Sequence, residues 1–225
     1  MKILYVSAHP DDECDNAGGT LAKLSKHNDI YIIYFTDGRL GSPYPEERGD
    51  KLALIRKKEA MEGLKVLGID PNKAYFLEYP DGELSKFISD AVKKTIPILQ
   101  NISPNVVFYP STFEAHPDHW AAGKIMKEAI HEARIQADQL SYLNWEPKIS
   151  RNLKITLRYL EWKISMKKAI YVNIEEFMDV KFEATKKHES QIKYFDDQYM
   201  EKFFKSKYER FYVEKSYSNL KEIIS

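Results

Sequence analysis

From residue 2 to residue 134, short apolar runs alternate with longer segments whose apolar residues recur at helical spacing. "KILYVS" (2–7) is short and rich in β-formers and predicts a strand, whereas "GGTLAKLSKH" (18–27) puts Leu21 and Leu24 on one face and predicts a helix. "IYIIYFT" (30–36) is almost continuously apolar, the pattern of a strand covered on both faces. A loop rich in Gly and Pro, "DGRLGSPYPEERGD", leads to a helix predicted from about Lys51 to Leu67 and a short strand around "AYFLE". A helix over 84–101, a strand at "NVVFYP" and a helix from about Pro117 to Arg134 complete this part. Strands and helices alternating in this order predict an α/β fold, a Rossmann-like three-layer arrangement with a mainly parallel sheet.

The pattern weakens after residue 136. The stretch 136–168 is read as loops with a hairpin around "ITLRYLEW", "KAIYVNI" (168–174) as a further strand, and "EEFMDVKFEATKKHESQIKYF" (175–195) as one long amphipathic helix. No linker rich in Pro, Gly or Ser and no internal repeat interrupts the chain. Residues 136–225 are therefore expected to be a C-terminal extension of one domain spanning 1–225.

Composition narrows the classes of function. Of 225 residues, 34 are Lys or Arg and 34 are Asp or Glu. With no net positive field, a nucleic-acid partner is not expected. The single cysteine, Cys14, excludes an intrachain disulfide and a cysteine-rich metal site, in keeping with a reducing compartment. The apolar run that follows Met1 and Lys2 is too short for a signal-peptide core or a membrane span, so a cytoplasmic protein is expected.

The chemistry gathers at two copies of one tetrapeptide. "AHPD" occurs in "YVSAHPDDECDN" and again in "VVFYPSTFEAHPDHW", each time after a predicted strand. In a parallel sheet the carboxyl ends of the strands share one rim, and ligands bind in the crevice outside it. One junction offers His9, Asp11, Asp12 and Glu13; the other offers His116, Asp118 and His119. Imidazoles and carboxylates without a thiolate suit a divalent transition metal held by two histidines and a carboxylate. Each proline restricts the histidine before it and is placed to start the helix after it. One His-Pro-Asp alone reads as an ordinary helix start; two at strand ends, with additional acids and a third histidine, favour a metal centre. His27 and His131 have no acidic neighbours of this kind and are read as ordinary surface or helix-end residues.

With "AHPDDE", a later "HPDH" and a C-terminal "HESQ", the chain resembles the LmbE-like (PIG-L type) N-acetylglucosaminyl deacetylases over most of its length. The resemblance implies a zinc ion held by His9, Asp12 and His119. It implies Asp11 as the general base, and His116 as the residue that stabilises the oxyanion or protonates the leaving amine. It also implies Arg56 of "LIRKKEA" and Asp81 of "YPDGEL" as sugar-contacting residues; read from local pattern alone, they are an exposed helix charge and a turn residue. Glu13 and Asp118 are expected to orient the ligands. His188 and Gln191, three residues apart on the expected helix, are expected to brace the domain. "ECDNAGG" departs from the resemblance, with Asp15 and Asn16 where relatives are smaller and richer in glycine.

The expected activity is hydrolysis of an N-acetyl group from an N-acetylglucosamine-type sugar, giving acetate and a free amine. A His₂-carboxylate set also suits Fe²⁺. Two alternatives stay open: a metal-dependent amidohydrolase of a non-sugar substrate, and a non-catalytic Rossmann-like sugar- or nucleotide-binding module. Against nucleotide binding, the first turn carries acids in place of a Gly-x-Gly-x-x-Gly loop. The loops 38–50 and 136–165 are expected to set specificity, with Tyr142, Trp145, Tyr159 and Trp162 available for sugar stacking, core packing or contact within a homo-oligomer.

Overall fold

The computed structural model describes residues 1–165, 167–195 and 205–219. In chain order the elements are β1 (Lys2–Ser7), α1 (Asp12–Ser25), β2 (Asp29–Thr36), α2 (Asp50–Val66), β3 (Ala74–Tyr79), α3 (Ile88–Ile102), β4 (Val106–Pro110), α4 (Pro117–Glu132), β5 (Asp138–Tyr142), α5 (Leu153–Ser165), β6 (Ala169–Asn173), α6 (Met178–Thr185), α7 (Glu189–Ile192) and β7 (Tyr208–Lys215). Among the described residues, seven strands form one sheet in the order β3-β2-β1-β4-β5-β7-β6. β1 to β5 pair in parallel, and β7 runs antiparallel between β5 and β6.

β1 explains the layering. Successive side chains of a strand point to opposite faces, so Ile3 and Tyr5 join a core with Leu21 of α1, Leu64 of α2 and Ala184 of α6. Leu4 and Val6 join a second core with Val92 and Leu99 of α3 and Ile125 and Met126 of α4. All four β1 side chains are fully buried, which is why strands of this sheet read as unbroken apolar runs. The chain winds outward from β1 through β2 to β3, then crosses to β4 on the other side of β1. This reversal opens a crevice beyond the carboxyl ends of β1 and β4, where both Ala-His-Pro-Asp segments lie.

Several elements depart from the sequence reading. α1 begins at Asp12, six residues before the predicted start, because acids in a first helical turn complement the helix dipole. The glycines that looked like its beginning are interior: a Cβ on Gly19 would come within 2.6 Å of Ile174. The expected hairpin at 155–162 is instead helix α5, started by Asn152, whose side chain accepts the Lys154 N–H at 3.0 Å. Its sequence carries no core-facing stripe, because no residue of α5 is buried; Leu153, Leu157, Leu160 and Ile164 line its exposed side. The single helix expected over 175–195 is broken into a short 3₁₀ turn (175–177), α6 and α7, with His188 leaving helical geometry at φ −85°, ψ 53°. No strand was anticipated at β7, whose eight residues fill the place between β5 and β6.

Candidate metal centre and catalytic cleft

Asp12 ties the first junction together. Its Oδ2 accepts the backbone N–H groups of Ala8 and His9, both at 2.8 Å, bending the chain from β1 into α1. Its Oδ1 accepts from the Asn144 side chain at 3.1 Å and lies 3.3 Å from His119 Nε2. His9 Nδ1 is 3.1 Å from the same His119 nitrogen and 3.9 Å from Asp12 Oδ2. A divalent ion about 2.0–2.1 Å from each N and O donor needs donor-to-donor separations of about 3.3 Å in a tetrahedral set. The His9–His119 and His119–Asp12 separations meet that requirement, the His9–Asp12 separation of 3.9 Å is wider, and the two ring nitrogens facing one another present a place that a cation satisfies. Carboxylate and imidazole without thiolate are the donor chemistry of Zn²⁺ or Fe²⁺.

The opposite ring nitrogen of His9 is also engaged. His9 Nε2 lies 3.1 Å from Asp81 Oδ1 and 3.2 Å from Asp118 Oδ2. Asp118 is fixed by the N–H groups of Gly82 at 2.6 Å and Leu84 at 3.0 Å, and Asp81 by that of Leu40 at 3.0 Å. The turn Pro80–Gly82, with Gly82 at φ +81°, thus supplies both the acid and the donor. His119 Nδ1 is 3.8 Å from Glu114, a fully buried residue that also accepts from the backbone of Asn144 and Trp145. Acceptors placed like those at His9 Nε2 hold an imidazole in orientation, whereas His119 Nδ1 has no hydrogen-bond partner among the described residues. Burial works against charge on His9 and His119, but their acidic neighbours prevail and hold both pKa values up.

Asp11 stands beside these groups without joining them. Its Oδ2 is 2.9 Å from Arg56 Nη2. Burial raises its pKa, Arg56 opposes the rise, and Asp12 adds to it. Arg56 is 3% exposed, and its other bonds go to the carbonyls of Gly38 at 2.9 Å and Pro10 at 3.2 Å. It is therefore no surface charge. Close packing of the loop on this guanidinium also explains a glycine: a Cβ on Gly41 would fall 2.2 Å from Arg56 Nη1.

His116 caps α4 with its Nδ1, which accepts the Asp118 N–H at 3.3 Å, leaving Nε2 to carry the proton. Burial, His9 and His119 together press its pKa down to about 4.

The cleft has a volume of about 530 Å³, a size ordinary for small-molecule sites. His9, Asp11, Asp12, Arg56, Asp81, His116 and His119 all line it, so every predicted site residue is brought to one place. Both loops expected to set specificity contribute: Leu40 and Gly41 from one, Asn144 and Trp145 from the other. Trp145 is 59% exposed, whereas Tyr142 is buried, stacked 5.2 Å from Tyr5 and donating to the Val6 carbonyl at 2.8 Å. Tyr142 is thus a core residue, and Tyr159 and Trp162 lie on α5.

Some expectations shift. Asp81, expected on the sugar, lines the cleft and also meets His9 Nε2 and the Leu40 N–H. Glu13 was expected to orient a ligand; its Oε1 lies instead 3.4 Å from His188 Nε2. Glu114 and Asn144 were not anticipated. The acid two residues before His116 in "FEAHPDH" was a readable signal for Glu114; Asn144 had none, because a loop beyond β5 delivers it.

Comparison with known proteins accords with this geometry. The GlcNAc-PI de-N-acetylase family (PIG-L) matches residues 4–130. The chain belongs to this family. It is 30% identical to a diacetylchitobiose deacetylase of Thermococcus kodakarensis over 195 residues, 85% of this chain and 70% of that protein. The structure of N,N'-diacetylchitobiose deacetylase from Pyrococcus horikoshii superposes with a TM-score of 0.68 at 27% identity, covering 90% of this chain and 73% of that one. A deacetylase of the teicoplanin biosynthetic pathway aligns at TM-score 0.72 and 17% identity over 95% and 97% of the two chains, a likeness of fold.

Proposed function

We propose that the protein is a zinc-dependent deacetylase that hydrolyses the N-acetyl group of an N-acetylglucosamine-type sugar or glycoconjugate, giving acetate and a free amine. The observation that carries the reading is the meeting of His9 Nδ1 and the Asp12 carboxylate on His119 Nε2 at 3.1 and 3.3 Å, with His9 and Asp12 3.9 Å apart and the carboxylate of Asp11 adjacent but held by Arg56. Membership of the PIG-L family and the diacetylchitobiose deacetylase relatives support the substrate class.

His9, Asp12 and His119 would hold the ion, which supplies Lewis acidity toward an amide carbonyl and toward water. Asp11, outside the ligand set, takes a proton from the attacking water as its oxygen bonds to the acetyl carbon. His116, neutral with its proton on Nε2, donates a hydrogen bond to the carbonyl oxygen as charge builds there. As the C–N bond breaks, the proton held by Asp11 passes to the departing nitrogen. Trp145 at the rim offers an apolar face to a sugar ring.

The test is release of acetate and primary amine from a panel of N-acetylglucosaminides by zinc-loaded and chelator-treated enzyme. Zinc-dependent release of both in equal amounts is expected. Hydrolysis only of N-acetyl groups on non-sugar amides would replace the substrate class, and binding of the sugars without turnover would leave a binding module.

A further inference from the structure

The sequence motif "HESQ" is not used by this mechanism, yet its histidine is one of the least accessible polar residues of the protein. His188 is 1% exposed and Glu13 fully buried, although they lie on α7's N-terminus and α1, far apart in the chain. His188 Nε2 sits 3.4 Å from Glu13 Oε1 and 3.5 Å from Cys14 Sγ. Room for the ring exists because residue 63 of α2 is glycine, where a Cβ would stand 3.1 Å from Nε2.

Position on the helix gives this pair its meaning. Glu13 follows Asp12 in the first turn of α1, so Asp12 faces the cleft while Glu13 enters the layer between the sheet and α2 and α6. Asp11 caps that turn without a side-chain hydrogen bond, so the cap itself does little to fix it. On the cleft side the turn is held by Asp12 on the N–H groups of Ala8 and His9. From beneath, it is held through Glu13. α7 is itself anchored, for Ser190 donates its N–H and hydroxyl to Glu59 at 2.8 and 2.6 Å, one turn along α2 from Arg56.

We propose that His188 is a positioning residue: by holding Glu13 in the buried layer, it fixes the first turn of α1 so that Asp12 meets the metal and Asp11 faces the attacked carbon. Without it, a carboxylate whose Oε2 already lacks a partner loses its chief remaining one. An unpaired buried carboxylate is expensive, so Glu13 moves toward water, and the cleft is the water nearest to it along α1. The proposal rests on the roles given above to Asp11 and Asp12, and its test separates the two.

His188→Ala, His188→Gln, Glu13→Gln and the double variant Glu13→Gln/His188→Ala are compared with the parent for Co²⁺ affinity of the metal-free chain, for kcat and KM at saturating Zn²⁺, and for thermal stability. Partners of metal ligands typically change affinity or rate by about 10–100-fold when lost. His188→Ala is expected to weaken Co²⁺ binding and lower kcat within that range, with KM changed far less. His188→Gln, whose amide N–H reaches the place of Nε2–H, is expected to restore most of both in a chain no more stable than the Ala variant. The double variant should be no worse than the poorer single one, since both remove one contact. If folded His188→Ala keeps parental affinity and kcat, or the two single losses multiply in the double variant, the proposal is overturned. Should His188→Ala fail to fold, Glu13→Gln, nearly isosteric, decides it by the same two readouts. A parent that cleaves no N-acetylglucosaminide while the variants still lose Co²⁺ affinity would overturn the proposed substrate and leave the role of His188 standing.

Discussion

Asp11 and Arg56 carry the clearest residue-level consequences. Asp11→Asn keeps the size of the side chain but cannot take a proton, so kcat should fall by about 10²–10⁴ with zinc content unchanged; rate and elemental analysis on one preparation check this. Arg56 opposes the upward shift of the Asp11 pKa. Deleting its charge in Arg56→Ala should therefore move the acidic limb of kcat/KM to higher pH, because a carboxylate without its cation holds its proton longer. His116 leads elsewhere. Held at about 4 by burial and by His9 and His119, it is neutral through the neutral range, and a bound cation nearby depresses it further. The alkaline limb of the parent should thus survive in His116→Ala, whose turnover falls while its zinc stays; disappearance of that limb would show that His116 works as an acid. The sequence made both Ala-His-Pro-Asp copies conspicuous, but the protonation state of His116 depends on two rings that arrive from other parts of the chain or the next helical turn.

At the level of elements, α1 is gripped along its length by the C-terminal part of the chain. Glu209 of β7 accepts the N–H groups of Gly19 at 3.0 Å and Thr20 at 2.7 Å, and receives Lys181 of α6 at 2.7 Å. Lys181 in turn donates to the Asp15 carbonyl at 2.8 Å. Both charges are buried. Glu209→Ala leaves the ammonium without its carboxylate, and losses of about 3–5 kcal/mol are usual for half of a buried pair; urea unfolding of the metal-free chain measures it. A change within about 0.5 kcal/mol would mean that water replaces the carboxylate. This clamp was not legible. β1, β2, α2, β4 and α4 were, because their apolar periodicity reports burial directly; α5 was not, since none of its residues is buried. β7 was not anticipated: its eight residues carry charge at Glu209, Arg210, Glu214 and Lys215, and their strand character comes from pairing with β5 and β6.

For the molecule as a whole, the candidate metal centre joins the β1–α1 junction to the β4–α4 junction, which are 110 residues apart at His9 and His119. An ion bound there stabilises the native chain by linkage, about 4.1 kcal/mol at a free concentration 1,000 times Kd. Thermal melts should therefore rise with added Zn²⁺ and fall with chelator, and His9→Ala or His119→Ala should lose that dependence; a parent melt indifferent to metal would remove the centre from the fold's stability. The sequence by itself determined the alternation of strands and helices, the mainly parallel sheet and the donor types at each strand end, because burial periodicity, proline restriction and ligand chemistry are local properties. Tertiary structure alone decided which atoms meet. Asp81 and Asp118 share one nitrogen of His9, Arg56 turns inward to Asp11, Asn144 enters from the loop beyond β5 to meet Asp12 and Glu114, and His188 reaches beneath α1. Each is a contact between segments distant in sequence, set by the order of strands in the sheet and the packing of helices on it, and hydrophobic pattern carries no record of such pairings.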